Sequence, residues 1–311
     1  MVKVSFIGAG GVGLTTAFAT GLKLGNELKE VVLVDVSEEL ANARGVDLRQ
    51  GFILNGLDTK VIGTTDYNKI AYSDVIVITS SIPPKPGVSD REAMMRDNKV
   101  LIADIANKLK AVIPTDDKQP LIIVVSNPLD IILNHFLKTG NFNKKKTIGS
   151  GNLLDTGRLQ DHLSRETGVD PSKIKTFAVA QHGAKIVYLL SKTTIDDKPL
   201  SDFNIKPERL KEIVNNSING AKEIIEKGAC RTLYGPALSI FDLMISYIKD
   251  KKNLLTCATY LDGQYGVNDF TFGVPVILGK DGVEEIKVWE LTEEEKNDYE
   301  EAYKFTIELN G

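Results

Sequence analysis

Apolar and polar positions along the chain fall into two regimes. In the first half, apolar runs of strand length stand at residues 2–7, 31–36, 60–63, 75–79, 121–126 and 147–148. Between them, residues 12–24, 38–54 and 91–112 carry apolar side chains at three- and four-residue spacing, which predicts helices. Strands alternating with helices predict a doubly wound parallel sheet covered on both faces. Ligands of such sheets sit beyond the carboxyl ends of the strands. Gly8, Asp35, Thr79 and Asn127 all close or follow a predicted strand, so they are expected to share one crevice.

The second half changes character. Helices are predicted at 152–166, 207–227 and 236–249, and strand runs at 175–180 and 186–194. Between 254 and 286, apolar runs broken by Asp262-Gly263 and Lys280-Asp281-Gly282 predict antiparallel pairing. Thr292 followed by Glu295 is a capping box that opens a last helix. The predicted class is α/β, with an α+β unit after the parallel sheet. The expected division is 1–147 and 148–311.

Composition narrows the function classes. The 311 residues are 42% hydrophobic and 26% charged, with a net charge of −4, so neither nucleic acid nor an anionic membrane is an expected partner. No apolar run is long enough to span a bilayer, and the first strand begins at residue 2, which predicts a cytoplasmic protein. Two cysteines, Cys230 and Cys257, suit reduced thiols better than a disulfide framework. With three histidines, imidazole chemistry has few candidates.

The strongest motif is Gly8-Ala9-Gly10-Gly11-Val12-Gly13 between a strand and a helix, with Asp35 ending the next strand. Gly8 permits the tight turn, Gly10 lets a pyrophosphate approach the backbone, and Gly13 lets helix and strand pack closely. The helix N-terminus adds N–H groups and a positive dipole end. A carboxylate at Asp35 accepts ribose hydroxyls and repels a 2′-phosphate, so NAD is favoured over NADP.

His182 lies at a strand end before Gly183, where it could face a cleft as a general acid–base or serve only as a structural histidine. His135 and His162 read as helix-face residues. Asp155 and Arg158 share one helix face. They are either an ordinary ion pair or two separate tools, the acid orienting a histidine and the arginine gripping a carboxylate. The loop Pro83-Pro84-Lys85-Pro86-Gly87-Val88-Ser89-Asp90-Arg91 follows a strand, as active-site lids do.

Taken together, Gly8–Gly13, Asp35, Ser126-Asn127-Pro128, Leu154–Arg158 and Gln181-His182-Gly183 resemble the lactate/malate dehydrogenase family, in its order and spacing. The resemblance implies an NAD-binding Rossmann domain, a mixed α+β catalytic domain, and homo-oligomers, as dimers or tetramers. It makes His182 the proton donor and acceptor, Asp155 its partner, Arg158 the anchor of the substrate carboxylate and Arg91 the lid arginine at the reacting carbonyl. Asn127 would hydrogen-bond the substrate side.

Two features depart from the family pattern. The residue before Lys85-Pro86-Gly87 selects the substrate, arginine for malate and commonly glutamine for lactate; here it is Pro84. Asp90 reads as an insertion, which moves the lid cation to Lys85, a point charge without an arginine fork. Arg231, beside Cys230, is a second candidate reader of a distal carboxylate. The expected reaction is malate/oxaloacetate interconversion with pyruvate as a side substrate; L-lactate dehydrogenase is the alternative.

Overall fold

The computed structural model describes residues 1–82, 91–229 and 231–310, with the side chains of residues 91–94 outside the description. In chain order the elements are β1 (Val2–Ile7), α1 (Gly11–Leu24), β2 (Leu28–Val34), α2 (Glu38–Leu54), β3 (Lys60–Thr64), β4 (Val75–Ile78), α3 (Arg91–Lys110), β5 (Leu121–Val124), α4 (Leu129–Gly140), β6 (Thr147–Gly149) and α5 (Asn152–Thr167). There follow β7 (Ile174–Lys175), β8 (Ala178–Ala180), β9 (Ile186–Tyr188), β10 (Thr194–Ile195), β11 (Lys198–Pro199), α6 (Pro207–Glu226), α7 (Tyr234–Ile248), β12 (Asn253–Asp262), β13 (Asn268–Gly279), β14 (Gly282–Ile286) and α8 (Glu293–Asn310).

Six strands pair in parallel in the order β3-β2-β1-β4-β5-β6. Their side chains explain why. Val4, Phe6, Val31, Leu33, Val75 and Val77 enter one core, while Ile7, Val32, Val34, Ile76, Ile78 and Val124 enter the other. Successive residues of a strand point to opposite faces, so continuous apolar strands need cover on both sides. Helices α1 and α7 supply it on one face, and α3 and α4 on the other. Each fully buried Val, Leu or Ile contributes about 1.5–3 kcal/mol.

The sheet does not stop where the topology changes. Strand β6 pairs in parallel with β5 and, through Gly149, antiparallel with β12 at Ala258. From there β12, β13, β8 and β9 continue one eleven-stranded sheet, with β14 paired to β13. The division expected near residue 147 is thus crossed by a continuous hydrogen-bonded sheet.

Several boundaries differ from the pattern. The run 31–36 begins at Leu28 and ends at Val34, leaving Val36 93% exposed beyond the sheet. The run 175–180 divides, β7 joining a small sheet with β10 and β11 while β8 joins the large one. The run 186–194 is likewise cut by a 3-10 turn at Leu190–Lys192. Helix α4 is buried almost all round, which hides the polar stripe that periodicity needs. The capping box forms as expected: Thr292 Oγ1 accepts the Glu295 N–H at 3.2 Å and Glu295 Oε2 accepts the Thr292 N–H at 3.1 Å.

Candidate active site

Strand β1 delivers the glycine turn. Gly8 holds φ +99°, and a Cβ there would lie 2.7 Å from the Ser80 nitrogen. Gly13 packs as tightly, since its Cβ would come within 2.4 Å of the Gly8 carbonyl oxygen. Gly10, by contrast, has open space around a built Cβ, and it caps α1 with no side chain occupying the N-terminal N–H groups. The free N–H groups and the open approach suit a phosphate. Thr79 Oγ1 donates to the Gly8 carbonyl at 2.8 Å, so it braces the turn from β4. Asp35 Oδ2 accepts the Ala9 N–H at 2.9 Å and Oδ1 the Val36 N–H at 2.8 Å. From α2, Arg44 donates to the Ala9 carbonyl.

Polar contacts beside this turn tie the ends of β4 and β5 together. Ser126 Oγ donates to the Ser80 carbonyl at 2.5 Å, joining the ends of β5 and β4. The buried Asn98 accepts the Ile82 N–H at 2.8 Å and donates to the Asn127 carbonyl at 3.2 Å. Asn127 itself is exposed at the strand end, before the cis bond to Pro128 and the start of α4.

His182 follows β8. Its Nδ1 is 2.7 Å from Asp155 Oδ2, and its side chain is only 16% exposed. The ring lies over Gly151, where a Cβ would come within 2.5 Å of its Cγ; glycine is what lets the imidazole pack there. Asn152 donates to the Ala180 carbonyl at 3.0 Å, and Thr156 Oγ1 accepts the Ala178 N–H at 3.0 Å, fixing α5 against β8. Burial alone would lower the imidazole pKa, but the charge and hydrogen bond of Asp155, with the charge of Asp130, raise it overall; Arg158 opposes them.

Asp155 and Arg158 do not separate into two unconnected tools. Arg158 Nη1 donates to Asp155 Oδ1 at 2.8 Å while the other oxygen holds His182. Three-residue spacing on a helix places the guanidinium within reach, and one carboxylate has oxygens for both. Beyond this pair opens a cavity of about 790 Å³ whose lining includes Arg158, Leu154, Arg231, Thr232, Leu233 and Tyr234. The exposed Arg231 lies along α1: its Cδ is 3.9 Å from a Cβ built on Gly11.

Lys85, Cys230 and the Arg91 side chain lie outside the described residues. His135 on α4 and His162 on α5 are half-buried and touch neither Asp155 nor His182 in the described contacts. Asp130, Asn98, Asn152 and Arg44 were missed by the sequence reading; their roles come from long-range contacts that carry no local pattern. Burial pushes the Cys257 thiol up to about 12, which keeps it protonated and unreactive.

A glycine cradle at the end of a doubly wound sheet, leading to a carboxylate–imidazole pair beside arginine, defines a dinucleotide-dependent oxidoreductase. The sequence matches the lactate/malate dehydrogenase NAD binding domain over residues 2–149 and the lactate/malate dehydrogenase alpha/beta C-terminal domain over residues 153–305. The chain belongs to the lactate/malate dehydrogenase family of NAD-dependent 2-hydroxy acid dehydrogenases.

Relatives and solved structures agree. A malate dehydrogenase of Pelagibacter ubique is 38% identical over 306 residues, covering 96% of this chain and 93% of the relative. A malate dehydrogenase of Cryptosporidium parvum superposes with a TM-score of 0.91 at 32% identity, covering 99% of this chain and 98% of that one. A lactate dehydrogenase of the same organism, crystallised with lactic acid and nicotinamide adenine dinucleotide, gives a TM-score of 0.92 at 30% identity, covering 99% and 96%.

Proposed function

We propose that this enzyme interconverts L-malate and oxaloacetate with NAD. The observation that carries the reading is the double engagement of Asp155 with His182 and Arg158, the arginine also lining a cavity together with Arg231. Several relatives are named malate dehydrogenase, and the second carboxylate of oxaloacetate calls for a cation besides Arg158. A nicotinamide held at this cradle would supply the hydride to a 2-oxo acid, or accept it in the reverse direction.

The residues divide the remaining work. Gly8, Gly10, Gly13 and the α1 N-terminus would hold the pyrophosphate, Asp35 the ribose, and Thr79 and Asn127 the crevice wall. Arg158 anchors the carboxylate next to the reacting carbon. Protonated His182 donates to the carbonyl oxygen from Nε2, because Asp155 occupies the Nδ1 side. Arg91 would close over the same oxygen. Either Arg231 or Lys85 pairs the distal carboxylate; leaving it buried and unpaired would cost several kcal/mol.

Steady-state NADH oxidation with oxaloacetate and with pyruvate, on wild type, Lys85→Ala and Arg231→Ala, tests the reading. Oxaloacetate should lead, and its lead should collapse in the variant that removes the distal-carboxylate reader. Pyruvate leading in wild type would make the enzyme an L-lactate dehydrogenase.

Domains meeting near residue 147, a cytoplasmic location and a homo-oligomeric state belong to the same proposal. Phe18, Leu22, Val46 and Leu238 expose apolar side chains on α1, α2 and α7, α1 packing against both of the others, with Leu238 on the cavity wall. A second copy of the chain would cover such a patch. Light scattering should give a dimer or tetramer mass, and a Leu238→Lys variant should reduce it.

A further inference from the structure

Asp130 is a carboxylate near the site for which the chemistry above has no use. It sits in the first turn of α4 with 2% of its surface exposed. Oδ2 accepts the His182 backbone N–H at 3.0 Å, while Oδ1 is buried with no hydrogen-bond partner among the described residues. Its main-chain carbonyl accepts from Thr271 Oγ1 at 2.7 Å, tying α4 to β13. Burial pushes the carboxyl up to about 7, although the His182 N–H and ring charge pull it back.

A buried carboxylate with one bare oxygen is a costly way to pack a helix. What it secures is the His182 turn. Ala180 has φ +64° and Gly183 φ +128°, so the segment between them is held in an uncommon conformation. Asn152 grips it from α5, the Gln181–Thr306 bond at 3.2 Å from α8, and Asp130 from α4.

We infer that Asp130 is a positioning residue for His182: its carboxylate fixes the turn through the main-chain N–H and lends the imidazolium a second negative charge. The inference rests on His182 being the proton carrier. The charged and titratable groups around Asp130 are His182 after β8, Asp155 on α5 and Tyr299 on α8, with Arg158 acting on His182. The Asp155 charge disfavours ionisation of Asp130, and both carboxylates favour the protonated ring, so Asp130 and His182 titrate as a coupled pair.

Asp130→Asn keeps an acceptor for the N–H and removes the charge. In an NMR titration of the His182 ring without cofactor, its midpoint should fall by about one pH unit relative to wild type. The pH above which oxo acid reduction fades should move down equally, with KM for NADH unchanged. Asp130→Ala also loses the N–H contact, and should lose about tenfold more kcat/KM at low pH, where the ring is protonated in either protein. An unshifted His182 midpoint in folded Asp130→Asn, or Asp130→Ala with wild-type kcat/KM, overturns the inference. Should neither variant fold, the wild-type titration decides: coupling broadens the His182 curve, and a single-site curve overturns it. Loss of the oxidoreductase reading would appear separately, as wild type without turnover on any 2-oxo acid.

Discussion

Asp155 and His182, 27 residues apart in sequence, meet at 2.7 Å with the carboxylate buried and the ring barely exposed. The contact occupies Nδ1, leaves Nε2 as the nitrogen the proposed substrate would meet, and favours the imidazolium. Asp155→Asn should lower kcat/KM for oxo acid reduction by about two to four orders of magnitude. In the proposed mechanism reduction consumes protonated His182, so activity should be present below its pKa and fade above it. The midpoint should therefore move to lower pH in the variant, read from pH–rate profiles.

Arg158 offers a planar fork that lysine lacks. Arg158→Lys should reduce kcat/KM about a hundredfold through weaker carboxylate anchoring. NADH affinity, followed by fluorescence quenching, should stay at the wild-type value. Unchanged turnover would remove Arg158 from the substrate site.

Gly151 is where the ring has no room to spare. Gly151→Ala would place a Cβ 2.5 Å from His182 Cγ and 2.8 Å from Leu129 Cδ2, so the ring must move. The expected result is a loss of tenfold or more in kcat, on the order of what small misplacements cost. Thermal melts should show the fold retained.

The Asp35 carboxylate holds the Ala9 N–H and stands where the second ribose is expected. Asp35→Ala should weaken NADH binding and, by removing the negative charge, narrow the NADH-over-NADPH preference about tenfold or more. Binding titrations with both cofactors check this.

His182 also links stability to pH. Its native pKa is raised above the ordinary 6.5, so its contribution is fully present below that value and lost as pH rises through the native one. Urea unfolding of wild type and His182→Asn at pH 6 and pH 9 should show the wild-type advantage shrinking at the higher pH.

Much of this protein was legible in its sequence. Gly8–Gly13, Asp35 and the apolar strand runs are local signals, because turn conformation, helix start and strand burial depend on neighbouring residues. These were enough for the doubly wound sheet and the dinucleotide cradle; the family also needed Ser126-Asn127-Pro128, Leu154–Arg158 and Gln181-His182-Gly183 in order. Tertiary structure decided the rest. That Asp155 keeps Arg158 while holding His182 depends on α5 lying against β8, which Asn152 and Thr156 secure. That β6 passes the sheet on to β12, that Arg231 shares a cavity with Arg158, and that Asp130 reaches the His182 N–H are contacts between segments distant in the chain. Packing selects such contacts, and no periodicity or spacing along the chain encodes them.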